Sequence, residues 1–364
     1  MHLLQARAGA IADGSEAVDL GQSPGDVVFL SAADTELTAL ADARARLGED
    51  FASLRLANLM HLSHPLSVDN YLDDVVRHAR LVIARVMGGR GYWPYGVEQL
   101  QVVCAEHGVA LALLPGDDRP DADLVEASNL APDVLHRLWQ YTVHGGRENL
   151  VNLLAYAASL LGEACDWQEP RALLRAGTYW PGRVGADMAA LRAHWRARAP
   201  VAGVVFYRAH LQASNLAPID ALVEALVREG INPLPVYVSS LKDPVCAGTV
   251  AKLLADADAG LVINTTGFAL SAPGEARTTT PFDALDCPVI QVVLAGGALA
   301  EWRDGTRGLG TRDISMNVAL PEIDGRLLAG AVSFKDDAGY DEATECRLVR
   351  YREVPDRIAS TAAL

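Results

Sequence analysis

Long hydrophobic runs are missing from this sequence of 364 residues, and no apolar stretch approaches the roughly 18 residues that a membrane-spanning helix needs. Its first residues, MHLLQARAGAIADG, also lack the positive segment and the longer apolar core of a secretory signal peptide. We therefore predict a cytoplasmic protein with no membrane partner.

Positive charge is scarce as well. There are 31 lysines and arginines against 46 aspartates and glutamates, and the formal net charge is −15. The phosphates of nucleic acids and anionic membrane surfaces repel such an acidic chain, so we expect no nucleic-acid partner. Apolar residues make up 50% of the sequence, which is typical of a globular chain with two or three sizeable domains.

The five cysteines lie far apart and form no C-x-x-C pair, so neither a zinc knuckle nor a disulfide framework is indicated. Scattered thiols are typical of the reducing cytosol. The sequence also lacks a G-x-x-x-x-G-K-[ST] P-loop, a G-x-G-x-x-G after its first strand and a G-x-S-x-G elbow. These absences argue against ATP hydrolysis through a P-loop, a dinucleotide dehydrogenase and an α/β-hydrolase.

Strand-like and helix-like segments alternate in the first third of the sequence. Short apolar runs predict strands, and segments with one apolar helical face predict helices between them. The predicted strands are 26–30, 54–58, 81–86 and 109–114, and the predicted helices are 34–47, 67–78 and 93–106. This alternation is typical of a doubly wound, mostly parallel sheet.

The strand signal is absent from residues 124–199, where the apolar spacing predicts helices. It returns at 201–207, 234–238, 261–264, 289–294 and 314–320. The sequence therefore predicts an α/β fold with two doubly wound, mostly parallel-sheet units joined by a helical neck. The predicted divisions are an α/β head at 1–123, the neck at 124–199, a second α/β domain with a substrate cleft at 200–340, and the start of a following region at 341–364, where ASTAAL is typical of the opening of a helix.

The segment VVFYRAHLQASNLAP contains the first candidate site. Its apolar run, 204–206, leads directly into Tyr207, Arg208 and His210. Ligands of doubly wound sheets bind where strands end and helices begin, so these side chains are expected to face a crevice. Arg208 would bind a carboxylate or amide of a substrate, and His210 would bind a metal ion or move a proton. The alternative is an arginine paired inside the domain and a histidine satisfied by the backbone.

Two further strand ends are polar. In NTTGF, Asn264, Thr265 and Gly267 follow a buried strand, and a glycine beside hydroxyl residues lets backbone N–H groups line an anion-binding concavity. In PEIDG, Glu322 and Asp324 follow the predicted strand 314–320, and such carboxylates would bind a divalent ion or accept protons. An ordinary turn explains the first pattern equally well, and solvated carboxylates explain the second.

Two other clusters are weaker candidates. His61 and His64 form an H-x-x-H pair, but the proline that follows favours a loop over a metal-binding helical face. Tyr92, Trp93 and Tyr95 would form a stacking wall for a flat macrocycle, although core packing at a helix start is the favoured interpretation.

Many longer segments together resemble one family, the large subunit of class I chelatases. This family includes the CobN subunit of aerobic cobaltochelatase and its relative in magnesium chelatase. The similar segments include, in order, SLRLANLMHLSHPLSVDNY, FYRAHLQASNLAPIDALVEAL, PLPVYVSSLKDP, NTTGFAL and GLGTRDISMNVALPEIDGR. The phrases YRAHLQASNLAP and VSSLKDP look more similar to the cobalt branch than to the magnesium branch.

The resemblance implies a part in a metal-inserting enzyme. It implies that the large subunit binds Co²⁺ as substrate metal and a corrinoid tetrapyrrole, hydrogenobyrinic acid a,c-diamide, in aerobic cobalamin biosynthesis. It also implies that an AAA+ ATPase subunit and its companion subunit use ATP and Mg²⁺, which this chain would not bind. Members of the family are several times longer, so we expect this chain alone to be inactive.

Carried to the matching motifs, the resemblance implies catalytic and metal-binding roles for Glu322 and His210. The implied substrate-binding residues are Tyr207, Arg208, Asn264, Thr265 and Gly267. Two alternatives remain: a noncatalytic module that docks partner subunits or binds the tetrapyrrole, and a magnesium chelatase-like protein that acts on protoporphyrin.

Overall fold

The structure, a computed structural model, describes residues 16–48 and 51–364. The first 15 residues, on which the prediction of no signal peptide rests, lie outside this range. Within the described residues, no helix combines the length and apolar character needed to cross a bilayer.

The first unit alternates strands with helices. Its elements are β1 (Val27–Ser31), α1 (Asp34–Arg46), β2 (Leu54–Asn58), α2 (Pro65–Asp74), β3 (Leu81–Val86), α3 (Pro94–His107) and β4 (Ala110–Pro115). The four strands are parallel, in the order β2-β1-β3-β4. Successive side chains of a strand face opposite sides, so a sheet covered on both faces needs apolar residues throughout. Val27 and Phe29 pack into the core with α1, whereas Val28 and Leu30 pack into the core with α2 and α3.

Three helices follow this sheet: α4 (Ala122–Glu126), α5 (Pro132–His144) and α6 (Arg147–Leu160). Leu138 of α5 and Leu153 of α6 are fully buried in the same core as Phe29. The helices predicted for this part of the sequence are therefore present, and α5 and α6 help to cover one face of the first sheet.

The rest of the chain builds a second sheet. Its elements are β5 (Ala176–Trp180), β6 (Arg183–Val184), α7 (Met188–Arg192), β7 (Val201–Tyr207), α8 (Ala209–Gln212), α9 (Ala217–Arg228), β8 (Asn232–Val238), α10 (Pro244–Asp256), β9 (Ala259–Asn264), β10 (Val289–Ala295), α11 (Leu299–Asp304), α12 (Thr311–Ile314), α13 (Leu320–Ile323), β11 (Leu327–Asp341), β12 (Cys346–Glu353) and α14 (Pro355–Ala362). The strand order is β12-β11-β10-β9-β7-β8-β5-β6. The five strands from β11 to β8 are parallel, and β12, β5 and β6 join antiparallel. The predicted α/β fold with two mostly parallel sheets is confirmed.

Both edges of the second sheet extend beyond residues 200–340. The prediction of helices throughout 124–199 is wrong for β5 and β6, because a five-residue strand that contains Gly177 is too short to show clear alternation. At the other edge, residues 341–353 continue this sheet as the end of β11 and β12. The last residues are helical as expected, but ASTAAL contains the end of α14, which begins at Pro355, and not the opening of a helix. The division into domains remains a prediction.

Residues 314–320, predicted as a strand, are helical instead. Here α12, the π-helical segment Ser315–Ala319 and α13 follow one another without a break. The strand that pairs with β10 is β11, in parallel. Periodicity alone cannot assign a short apolar run, and tertiary contacts decide this one. The carboxylate of Asp313 accepts the N–H of Gly296 at 3.0 and 3.1 Å, which holds the helical stretch against the end of β10.

The two units are joined through β11 and β12. The Thr38 hydroxyl on α1 donates to the Val349 carbonyl at 2.9 Å and accepts the Val349 N–H at 3.1 Å. Lys335 of β11 forms a buried ion pair with Asp34 at the start of α1. The second sheet therefore contacts the helix that follows the first strand of the chain.

Candidate functional site

The carboxyl ends of both sheets face one cleft of about 1350 Å³. The first unit contributes Glu36 on α1, Arg85 of β3 and residues 116–118 after β4. The second unit contributes the residues that follow β7, β8, β9 and β10. Parallel strands end at a common edge, which is where ligands of such sheets bind. A cleft therefore exists at the predicted edge of the later sheet, and the first sheet supplies its opposite wall.

The cleft carries an excess of positive side chains. Its eight basic lining residues are Arg85, Arg175, Arg208, Lys242, Arg307, Arg312, Arg326 and Lys335, and its five acidic ones are Glu36, Asp117, Asp118, Glu301 and Asp313. The whole chain has a net charge of −15, so this excess is a local property of the cleft. Such a cleft attracts an anionic ligand.

Arg208 is a buried cation that lines the cleft and is only 6% exposed. Its Nε and Nη2 donate to the carbonyls of Leu174 and Leu173, at 3.0 and 2.9 Å. Burial lowers the pKa of its guanidinium, because the charged form loses water. It forms no ion pair within the described residues, so the alternative of an internal salt bridge is wrong there. Its Nη1 has no hydrogen-bond partner in this part of the chain and is suited to a carboxylate ligand.

Tyr207, Thr265 and Gly267 line the same part of the cleft. The Tyr207 hydroxyl donates to the Gly267 carbonyl at 3.0 Å, and burial raises the pKa of this phenol to about 12, so it stays protonated. The Thr265 hydroxyl donates to the Val205 carbonyl at 3.1 Å. A Cβ at Gly267 would lie 3.0 Å from the backbone oxygen of Met316 and 2.6 Å from Asn317 Oδ1, so this close approach favours glycine. These residues shape the cleft wall through bonds to the backbone.

Asn264 lies behind this wall and does not line the cleft. Its side chain is fully buried, and Nδ2 donates to the Thr266 carbonyl at 2.9 Å and to Gln291 Oε1 at 2.8 Å. Its Oδ1 accepts the Thr266 hydroxyl at 2.9 Å. The structure thus places Asn264 where it holds the loop, instead of in the expected contact with substrate.

Glu322 is exposed on α13 and is not among the residues that line the cleft. Its expected place at the cleft edge depended on a strand at 314–320, and this stretch is helical. The neighbouring carboxylate, Asp324, is buried and forms an ion pair with Arg326 at 3.0 Å. The structure therefore does not bring Glu322 together with His210.

His210 lines the cleft edge-on to Tyr351, with ring centroids 5.5 Å apart. Its Nδ1 lies 3.3 Å from the Asn215 carbonyl, which can only accept, so Nδ1 carries the proton and Nε2 keeps its lone pair. Burial lowers the pKa of the imidazole to about 4, because surrounding protein excludes water from the charged form. The ring is therefore neutral near pH 7, with the lone pair of Nε2 available.

Acid should destabilise the protein through His210. The ordinary pKa of 6.5 falls to about 4 on folding, so the unfolded chain binds more protons between these values. The contribution of His210 to the free energy of unfolding is complete above its unfolded-state pKa of 6.5. It is lost as the pH falls from there towards the folded-state pKa of about 4. Between about pH 7.5 and about pH 5, we expect the wild type to lose about 1–2 kcal/mol more than His210→Asn. Urea unfolding measures this, with exposed His107→Asn as the control, and equal losses in wild type and His210→Asn would contradict it.

The weaker candidates do not reach the cleft. Tyr92, Trp93 and Tyr95 do not line the cleft. Trp93 is buried in the core that contains Val28 and Leu30, and its Nε1 donates to a backbone carbonyl at 2.8 Å. His64 Nδ1 accepts the N–H of Leu66 at 3.1 Å and so caps α2. In residues 16–48 and 51–364, no group of three or more His, Cys, Asp or Glu side chains is placed to hold a metal ion.

Sequence reasoning missed the charged pairs in and beside the cleft wall. Arg85 pairs with Glu36, and Lys335 pairs with Asp34. These partners are 49 and 301 positions apart, so no local pattern connects them. The one available signal was the pair of acidic residues at the start of α1, but acidic residues are common there because they favour the positive end of the helix dipole.

Comparison with known proteins matches residues 139–364 to the family model described as CobN/Magnesium Chelatase. Over its whole length the chain is 44% identical to the aerobic cobaltochelatase subunit CobN of a Sinorhizobium species and 42% identical to that of Pseudomonas aeruginosa. A solved structure, the catalytic subunit of cobaltochelatase from Mycobacterium tuberculosis, matches 92% of the chain with a TM-score of 0.67 and 27% identity. The chain spans 29% of the length of each of the two curated relatives and 26% of the solved chain.

Proposed function

Because this chain belongs to the CobN/magnesium chelatase family, we propose that it forms part of the large subunit of an aerobic cobaltochelatase. In this proposal the enzyme inserts Co²⁺, a substrate, into hydrogenobyrinic acid a,c-diamide on the aerobic route to cobalamin. The cobalt branch is favoured because both CobN relatives match the whole chain at 42–44% identity.

The cleft between the two sheets is the observation that carries this proposal. Its volume of about 1350 Å³ exceeds the roughly 300–1,000 Å³ of pockets for drug-sized ligands, which leaves room for a macrocycle. Its eight basic side chains against five acidic ones suit the carboxylates around a corrinoid ring. This charge pattern is opposite to that of the chain as a whole.

Arg208 is the proposed anchor for a carboxylate or amide at the edge of the macrocycle. Its Nη1 is open to a ligand while Nε and Nη2 are fixed by backbone carbonyls, so the group is preorganised. Tyr207, Thr265 and Gly267 form the adjacent wall, and Asn264 keeps the loop of that wall in shape.

His210 is the proposed point of contact with the metal. Its Nδ1 faces a backbone carbonyl and the ring is neutral near pH 7, and in this proposal its Nε2 binds Co²⁺ transiently. We leave Glu322 out of this site because it is exposed outside the cleft lining.

The energy source belongs to other chains in this proposal. An AAA+ ATPase subunit and its companion subunit would bind ATP with Mg²⁺ and hydrolyse it in the cytoplasm. The sequence offers no P-loop for that purpose. Since the chain spans 29% of its CobN relatives, we expect it alone to bind the macrocycle without inserting the metal.

The second candidate function is that of a noncatalytic module. It is favoured because the chain spans only 29% of the length of its CobN relatives. It would dock partner subunits or hold the tetrapyrrole and take no part in the chemistry. The magnesium branch, with protoporphyrin as substrate, is the third, because the family description covers both branches.

Titrating the full chain with hydrogenobyrinic acid a,c-diamide tests these candidates through the absorbance of the macrocycle. We expect saturable binding at one site, weakened by added salt because charge contributes to it. Protoporphyrin, titrated in parallel, should bind more weakly. A pure docking module would bind neither macrocycle, and a preference for protoporphyrin would favour the magnesium branch.

A further inference from the structure

Arg175 connects the two walls of the cleft. Its Nη1 lies 2.9 Å from Asp243 Oδ2, and its Nε lies 3.4 Å from Asp118 Oδ2. Asp118 follows β4 of the first sheet, whereas Asp243 precedes α10 beside the second sheet. The Arg175 side chain is 56% exposed, so it is free to exchange partners with a ligand.

The backbone holds Arg175 beside Arg208. The Arg175 carbonyl accepts the N–H of Ser239 at 2.7 Å. The Arg208 N–H donates at 2.8 Å to the carbonyl of Val238, the residue before Ser239. The Arg208 guanidinium also donates to the carbonyls of residues 173–174, immediately before Arg175. The pKa of Arg208 is lowered first by burial and further by the positive charge of Arg175. Two guanidinium groups therefore share one end of the cleft.

The two carboxylates around Arg175 are held differently. Asp243 is the N-cap of α10, where its Oδ1 accepts the Cys246 N–H at 2.9 Å, so the helix requires it in this place. In the part of the chain that the structure describes, Asp118 forms one ion pair, with Arg175, and its charge also raises the pKa of Arg208. Its side chain is 43% exposed. Water screens an exposed pair of this kind, so little free energy is lost when it separates.

We propose that Arg175 and Arg208 form a carboxylate-binding subsite, in which Asp118 holds the place of a ligand carboxylate until the ligand arrives. The subsite rests on the proposed function, because the carboxylate is a side chain of the macrocycle. Arg208 supplies one positive charge, which forms no ion pair within the described residues. Arg175 supplies the second when its ion pair with Asp118 breaks and its ion pair with Asp243 remains. Two neighbouring guanidinium groups can each donate a charge-assisted hydrogen bond to a carboxylate.

Binding would also alter the contact between the walls. The Asp118–Arg175 pair joins the loop after the first sheet to the segment that leads into β5. A ligand carboxylate that replaces Asp118 would break this link, so macrocycle entry and the spacing of the two walls would be coupled.

Affinity measurements on Arg175→Gln and Asp118→Asn test the subsite. The ligands are hydrogenobyrinic acid a,c-diamide and the same macrocycle with its carboxylates esterified. We expect Arg175→Gln to weaken binding of the acid form about tenfold and to leave the ester unchanged. Asp118→Asn, which removes the competing carboxylate, should tighten binding of the acid form about two- to fivefold. Arg171→Gln, which removes the exposed ion pair between Arg171 and Glu148 of α6 outside the cleft lining, is the matched control.

A second readout does not depend on the macrocycle. At equal ionic strength, citrate should raise the Tm of the wild type above its value in chloride, and Arg175→Gln should reduce this difference. If neither form of the macrocycle binds while the citrate effect persists and needs Arg175, the proposed function fails and the subsite stands. If the macrocycle binds and neither Arg175→Gln nor Asp118→Asn changes either readout, the subsite is overturned.

Discussion

Replacing Lys335 with methionine should lower the free energy of unfolding by about 3–5 kcal/mol, the largest effect on stability that we expect from a single charge. Lys335 is 3% exposed and Asp34 is 7% exposed, and they form an ion pair between β11 and α1. Removing the Lys335 ammonium takes away a positive charge that balances the negative charge of the buried Asp34 carboxylate. The loss should be visible as a lower urea midpoint.

Two controls separate charge compensation from packing. Lys252→Met removes the exposed pair with Asp256 on α10 and should change stability by less than about 0.5 kcal/mol. Combining Lys335→Met with Asp34→Asn should restore part of the loss, because the double variant removes both charges of this pair. A small effect of Lys335→Met, or a double variant less stable than the single one, would show that the pair does not hold the two units together.

The largest functional effect is expected from Arg208→Gln, which should weaken binding of hydrogenobyrinic acid a,c-diamide about 10- to 100-fold. Hydrogen bonds to a charged group contribute roughly 1.5–3 kcal/mol each, which corresponds to this range of dissociation constants. Arg208→Lys should not restore binding. A lysine lacks the flat guanidinium in which Nε and Nη2 bind the carbonyls of residues 173 and 174 while Nη1 is directed at the ligand.

Arg208→Gln must fold for this result to be interpreted, so its urea unfolding is measured beside the titration. Arg228→Gln, at an exposed position of α9, is the matched change of charge far from the cleft lining. If the folded Arg208→Gln protein binds the acid form as tightly as Arg228→Gln does, Arg208 is not a ligand anchor and its role is limited to the backbone carbonyls that it holds.

The buried parallel strands were the part of the fold most accessible from sequence. The predicted strands 54–58, 81–86 and 201–207 coincide with β2, β3 and β7. Strands covered on both faces are mostly apolar, so each one shows in the sequence as a compact apolar run. The same rule failed at 314–320, where an apolar run of similar length packs as a helix. It also missed the short strand β5, which lies between β8 and β6 and whose antiparallel pairing with β8 depends on a distant part of the chain.

The candidate site was accessible in part for a related reason. Tyr207, Arg208 and His210 were found because the end of a strand in a parallel sheet has a known relation to the ligand crevice. The sequence could not predict which hydrogen-bond partners their polar groups have. In Tyr207 the hydroxyl is bound to a backbone carbonyl, whereas in Arg208 one nitrogen stays available. Arg175 and Asp118 had no signal, since their pairing spans separate units of the chain.

The sequence by itself determined the α/β class, the two mostly parallel sheets, the strand ends after β7 and β9 and membership in the chelatase family. The fold depends on local backbone geometry and on apolar patterns a few residues long, whereas the family resemblance depends on many longer segments in the same order. Only the tertiary structure decided which side chains meet across the cleft, because ion pairs such as Asp34–Lys335 join positions 301 apart. It also decided that Asn264 is enclosed and Glu322 lies outside, since burial depends on how both sheets and their helices pack together.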